Sequence, residues 1–205
     1  TLAVLVRDEW DVVRDELIKR MTGHRDSRSS ESLEEECWRR LEPYIEPVLE
    51  HTCPKFWLLI KEPYECWSYA HSDEQPGVID LHIGNAYQPE SPFKKHRTRL
   101  GSTLLRLLLD VPELHPEVTM VGCGSWLNEY EPFLQLFPDT WRESLVLGDT
   151  CGPNWGWWGQ YMTHEGRFHT KNASVLRATG KHPYTSGYAR CAIDDVVAHL
   201  RDNIC

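Results

Sequence analysis

No run of apolar residues approaches the roughly 20 needed to cross a bilayer, and no secretory signal is visible. Basic charge is scarce: 22 Lys and Arg against 31 Asp and Glu leave a formal charge of −9. Phosphate backbones bind basic surfaces, so this balance excludes nucleic acid as the main partner. The seven cysteines form no C-x-x-C pair, and their number is odd. That argues against a zinc knuckle or a disulfide framework and for reduced thiols in a cytoplasmic protein. The strings H-E-x-x-H, H-x-H and G-x-S-x-G are missing. There is no internal repeat and no low-complexity stretch.

What is present is the composition of an ordinary globular domain, 40% hydrophobic and 26% charged over 205 residues, with enough chain to bury a core unaided. The expectation is one domain over 1–205. Within it, 1–76 holds N-terminal helices and first strands, 77–150 a central β-α-β-α core, and 151–205 a tryptophan-rich segment and a C-terminal helix.

The central stretch carries the clearest pattern. In Gly77–Ile83, Ile79, Leu81 and Ile83 fall on one face of a strand, and Val78, Asp80 and His82 on the other. Turn residues Asn85–Glu90 lead to Ser91-Pro92, which reads as an N-cap and first helical position. Leu100, Leu104, Leu105, Leu108 and Leu109 then give a helical stripe closed by Asp110-Val111-Pro112. Val118–Cys123 reads as a second strand, parallel to the first through a right-handed crossover. Ligands in such layouts sit beyond the carboxyl ends of the strands, which places Asn85, Ser91, Ser125 and Asn128 together with His82 just below.

Upstream, Thr1–Val6 suits a strand or the start of a helix, and Glu9–Met21 and Glu31–Glu50 read as helices, the second broken at Pro43 and Pro47. Trp38 is expected to face inward there. Phe56–Ile60, Tyr64–Ala70 and Gly77–Ile83 suit an antiparallel meander. Downstream, Arg142–Gly148 and Tyr188–Ala192 read as strands, and Asn172–Thr179 and Ile193–Asn203 as helices.

Two helices, a meander, then helix, strand, helix and strand resemble the GCN5-related N-acetyltransferase (GNAT) layout over about residues 1–150. The expected fold class is therefore α/β, a GNAT-like domain with a mixed sheet, an antiparallel meander and flanking helices. Leu81-His82-Ile83 followed by Ser125-Trp126-Leu127 looks like a divergent branch of that superfamily. Ser125-Trp126-Leu127-Asn128, Leu136-Phe137-Pro138 and Trp158-Gly159-Gln160-Tyr161 are similar to strings in a group of bacterial proteins. The resemblance implies acyl transfer from an acyl-coenzyme A co-substrate to an amine on a small molecule. It also implies pyrophosphate binding by backbone N–H groups at a helix N-terminus, which here falls on Phe93 and Lys94. The nearest string to the family's R-x-x-G-x-G/A loop, His96-Arg97-Thr98-Arg99-Leu100-Gly101-Ser102, keeps one glycine and is expected inside the helix capped at Ser91. The family's tyrosine acid would fall by spacing on Phe133, with Tyr130 the nearest tyrosine.

Asp80 and His82 are two apart on one strand, so the carboxylate could orient the imidazole as a general base; equally, the pair could be a polar support for the sheet. Ser125 follows a Gly-Cys-Gly turn and reads either as a reactive hydroxyl or as a helix cap. Asn85, Ser125 and Asn128 are candidates to orient substrate or to donate to an oxyanion. Trp155, Trp157 and Gln160 belong to a glycine-interleaved aromatic run that suits a pocket wall or core filling. His164, Glu165 and His169 offer metal-assisted hydrolysis as a minor alternative, although no metal-ligand spacing is matched. A binding module without catalysis is the rival from another class.

Overall fold

The structure, a computed structural model, describes residues 7–23, 32–44, 63–72, 75–148 and 158–204. Its contacts divide the chain into two compact units, Thr1–Leu58 and Leu59–Cys205. The segment 1–6, expected as a strand or the start of a helix, and the strand expected at 56–60 lie outside the described residues, as do Trp155 and Trp157.

In the first unit, helix α1 spans Arg7–Gly23 and α2 spans residues 32–44. They run antiparallel: Arg40 Nε meets Glu16 Oε2 at 2.7 Å, and Arg20 pairs with Glu36 one turn further along. Trp38 is not an inward residue. It is 44% exposed and donates from Nε1 to Glu42 Oε1 at 3.0 Å. The helix also runs through Pro43 rather than breaking there.

The second unit is a mixed α/β domain. Its strands are β1 (Trp67–His71), β2 (Val78–Ile83), β3 (Met120–Ser125), β4 (Val146–Leu147) and β5 (Gly187–Ala192). They form one sheet in the order β1-β2-β3-β5-β4. Only β2 and β3 are parallel; the other neighbours are antiparallel. Between β2 and β3 run α3 (Pro92–Lys95) and α4 (Arg97–Leu114). After β3 come a tight 3₁₀ turn at Trp126–Glu129, α5 (Glu131–Leu134) and α6 (Asp139–Glu143). A second 3₁₀ turn at Gly159–Tyr161, α7 (Thr170–Thr179) and α8 (Ile193–Asn203) complete the unit. Of the strand expected over 142–148, Arg142 and Glu143 end α6, Ser144 and Leu145 form the link, and only Val146 and Leu147 are extended.

The alternation in β2 sorts its faces as expected: Ile79 and Leu81 enter the core, while His82 is exposed. The stripe on α4 is rotated from the expected one. Leu100, Leu104, Leu107, Leu108 and Val111 are fully buried, whereas Leu109 is exposed. These positions step by three and four, as a core-facing helix requires, and α4 continues two residues beyond Pro112. Gly101 lies where a Cβ would collide with Ile204 just beyond α8, so the missing side chain lets the C-terminal segment approach. Trp67 ties β1 to α4 by donating from Nε1 to the Leu100 carbonyl at 2.9 Å. Phe133, Phe137 and Trp141 extend the core, with the Phe137 and Trp141 rings stacked at 4.0 Å.

Cys66 and Cys191 are buried in this core, and burial pushes their thiols from 9.0 up to about 11 and about 12 respectively. The unfolded chain therefore ionises these thiols first, so their contribution to stability is complete below pH 9.0 and is lost as pH rises through 11 and 12. Urea unfolding followed from neutral pH upward should show stability declining once the unfolded thiols ionise. A constant unfolding free energy to the top of that window would refute the account.

Candidate functional site

The ladder between the parallel strands is short. It pairs Val78 with Met120, Ile79 with Val121 and Asp80 with Gly122, then ends. Yet β2 stays paired to β1 as far as Ile83, and β3 stays paired to β5 as far as Ser125. The two strands thus part over their carboxyl halves, opening a notch between Leu81–Ile83 and Cys123–Ser125. Over that stretch β2 and β3 do not pair with each other.

His82 projects from the parted half of β2. Its side chain is exposed and makes no hydrogen bond among the described residues. Asp80 shares its face, as the alternation predicts, but its Oδ1 accepts from Tyr188 Oη at 2.9 Å. The tyrosine crosses Gly122 to get there, and a Cβ at that glycine would collide with its hydroxyl. Burial first, and then the bond to Asp80, hold the Tyr188 phenol above its usual range. The carboxylate is thus engaged from β5, a partner 108 residues away that no local pattern announces.

Ser125 and Asn128 lie together at the end of β3, both buried. Ser125 Oγ accepts from the Leu127 amide at 3.2 Å and caps the 3₁₀ turn. Asn128 Nδ2 donates to the carbonyls of Cys123 at 2.8 Å and Gly187 at 2.9 Å, and its Oδ1 accepts from Trp141 Nε1 at 3.0 Å. All of these contacts are within the protein. Asn85 is similarly occupied: Nδ2 donates to the carbonyls of Glu90 at 2.9 Å and His164 at 2.8 Å, while Oδ1 accepts from the Tyr87 amide. It pins the 162–168 hairpin to the loop after β2. Gln160 is buried and clamps Tyr184 through both main-chain groups.

The helix expected from Ser91 onward is interrupted. Ser91 precedes Pro92 at the start of α3 but makes no side-chain cap, and His96 separates α3 from α4. The string Arg97–Ser102 therefore opens a helix instead of lying inside one. The interruption accompanies contacts of the His96 side chain: Nε2 meets Glu90 Oε2 at 2.7 Å, and its ring lies 4.3 Å from that of Tyr87. Glu90, in turn, is held below the usual carboxylate range by bonds from Lys95 and then His96. Arg99 and Tyr87 both bond to Glu65, the one non-glycine residue with positive φ among those described. Lys94 and Arg97 are exposed and carry no ion pair among the described residues. This network escapes local reading. Its only advance signal is a histidine six residues beyond a glutamate, across a Ser-Pro turn.

Phe133 is fully buried in the core, while Tyr130 is half-buried at its edge. The Tyr130 ring stands 5.4 Å from Phe93, 6.0 Å from Trp126 and 6.3 Å from Tyr184. Burial, and then the neighbouring Tyr184, raise its phenol above the usual range. The sequence shows Tyr130 and Phe93 but gives no sign of Tyr184. Nearby in sequence, Tyr161 Oη lies 2.8 Å from His182 Nδ1, beside the half-exposed Trp158.

His164, Glu165 and His169 do not come together as metal ligands. His169 Nδ1 accepts from the Asn172 amide to cap α7, and Glu165 pairs with Arg167 at 3.5 Å. Among the described residues no group of three His, Cys, Asp or Glu could hold a metal ion, and no helix is long and apolar enough to cross a membrane. No family model, curated protein or solved structure matches the chain.

Proposed function

We propose that the protein binds an acyl-coenzyme A co-substrate along the notch between β2 and β3 and transfers its acyl group to an amine. The observation that carries this reading is the early end of the parallel ladder. Two strands that no longer pair with each other can take an extended amide-bearing chain between them, which is how a ligand adds to a sheet. The pantetheine arm of coenzyme A is such a chain. Its phosphates suit the first turn of α4, where unpaired amides and the helix dipole favour anions and Lys94 and Arg97 add positive charge.

In this scheme His82 takes one proton from the acceptor ammonium and so frees the neutral amine. The nitrogen lone pair then forms a bond to the thioester carbon, and the carbonyl electrons move to oxygen. On collapse the C–S bond breaks, and Tyr130, which burial keeps protonated, gives its proton to the thiolate. Its phenolate recovers one from the acylated nitrogen, and the proton on His82 leaves to solvent. The products are an amide and free coenzyme A.

One observation favours the rival, a binding module without chemistry. Arg99 stands where the resemblance has its first glycine, and it is tied to Glu65. Thermal-shift titration with coenzyme A and acetyl-coenzyme A tests the binding half of the proposal. At about 100 times its dissociation constant a ligand adds roughly 2.7 kcal/mol, a resolvable rise in melting temperature. No rise at millimolar ligand would sink the acyl-coenzyme A reading; a rise without turnover on any amine would leave the module.

A further inference from the structure

We infer that the half-buried rings of Phe93, Trp126, Tyr130 and Tyr184 form the acceptor subsite, and that the acceptor is an amine carried on a flat aromatic ring. This rests on the transferase reading above and adds the substrate class to it.

The placement comes from the topology. Phe93 lies in α3, downstream of β2, and Trp126 and Tyr130 immediately follow β3. The cluster is therefore assembled from the segments that leave the two parted strands. Phe93, Trp126 and Tyr130 pack against the core yet are only partly buried. Tyr184 joins them from the loop before β5. Its main-chain N–H donates to Gln160 Oε1 at 3.0 Å, and its carbonyl accepts from Gln160 Nε2 at 3.2 Å. That clamp fixes the backbone beneath the ring while leaving the ring itself partly exposed.

The ring geometry points to the ligand. Phe93 and Tyr130 meet edge to face at 74°, Tyr130 and Tyr184 at 82° over 6.3 Å, and Trp126 and Tyr184 are tilted at 39° over 5.2 Å. Such arrangements follow the aromatic quadrupole, and another ring extends them at about 0.5–1.5 kcal/mol beyond simple burial. A saturated ring of similar size recovers the burial but not that term. Two polar ends complete the shelf. The Tyr130 and Tyr184 hydroxyls have no hydrogen-bond partner among the described residues, so both can accept from an ammonium. The face of Trp126 offers the same cation a second attraction. An amine must arrive as an ammonium and lose its proton before attack, and this arrangement receives it in that form.

The test compares 2-phenylethylamine with 2-cyclohexylethylamine in ligand-observed NMR titrations of the full chain, for the wild type and for Tyr184→Leu and Trp126→Leu. The aromatic amine is expected to bind up to about tenfold more tightly than the saturated one, and each substitution to remove most of that preference. Tyr184→Leu keeps the main-chain clamp, so its coenzyme A titration should match the wild type, with the melting temperature lowered only by the ring contacts it loses. Equal affinity for the two amines, or a preference that survives both substitutions, overturns the inference. Coenzyme A binding without ring-selective amine binding overturns the subsite alone. Ring selectivity that depends on Tyr184, in a protein that ignores coenzyme A, upholds the ring site and overturns the transferase reading.

Discussion

Replacing His82 with alanine is expected to lower kcat/KM for acyl transfer by about 10²–10⁴, the usual contribution of a positioned acid–base group. Stability should change by no more than about 0.5 kcal/mol, because an exposed side chain with no bonding partner contributes little to folding. Few positions on the sheet allow so clean a separation of rate from stability. Asp80→Asn supplies the contrast. In the structure this carboxylate accepts from Tyr188, so its neutralisation weakens a contact between β2 and β5 and should lower stability more than rate. A matching loss of rate in both variants would instead mean that Asp80 orients His82 during turnover. Retained activity in His82→Ala, measured under saturating acyl donor, would remove the imidazole from the mechanism.

The parts of the fold that were legible in the sequence are those that local pattern controls. The alternation of Ile79, Asp80, Leu81 and His82 gave the faces of β2, and the Asp110–Pro112 region located the end of α4 to within two residues. The stripe on α4 is ambiguous in the sequence because six leucines lie from Leu100 to Leu109, enough to draw more than one apolar face. Only packing selects Leu107 and Val111 over Leu105 and Leu109. The break at His96 was invisible for a different reason: nothing in His96 itself opposes a helix, and the interruption accompanies contacts with Glu90 and Tyr87. The candidate site follows the same division. His82 and Tyr130 could be singled out as residues, but the partner of Asp80 and the ring of Tyr184 come from beyond residue 180. Contacts at that separation leave no periodic trace.

The residue with the largest expected effect on folding is Asn128. It is 1% exposed and its amide joins three elements: β3 through Cys123, the start of β5 through Gly187, and α6 through Trp141. Alanine at this position leaves two carbonyls and an indole N–H buried without their partner. An orphaned buried group costs about 1–3 kcal/mol, so a loss of roughly 4 kcal/mol is expected once partial relaxation is allowed. Urea unfolding should show the midpoint falling with little change in slope. Aspartate separates the contributions, because it keeps an acceptor for Trp141 but has no N–H for the two carbonyls and adds a buried charge. It should be at least as damaging as alanine. A substrate-orienting asparagine would behave in the opposite way, with kcat/KM reduced and the unfolding midpoint held. If Asn128→Ala unfolds at the wild-type midpoint, the three bonds are not what holds the ends of β3 and β5 together, and the residue returns to the list of groups that address the ligand.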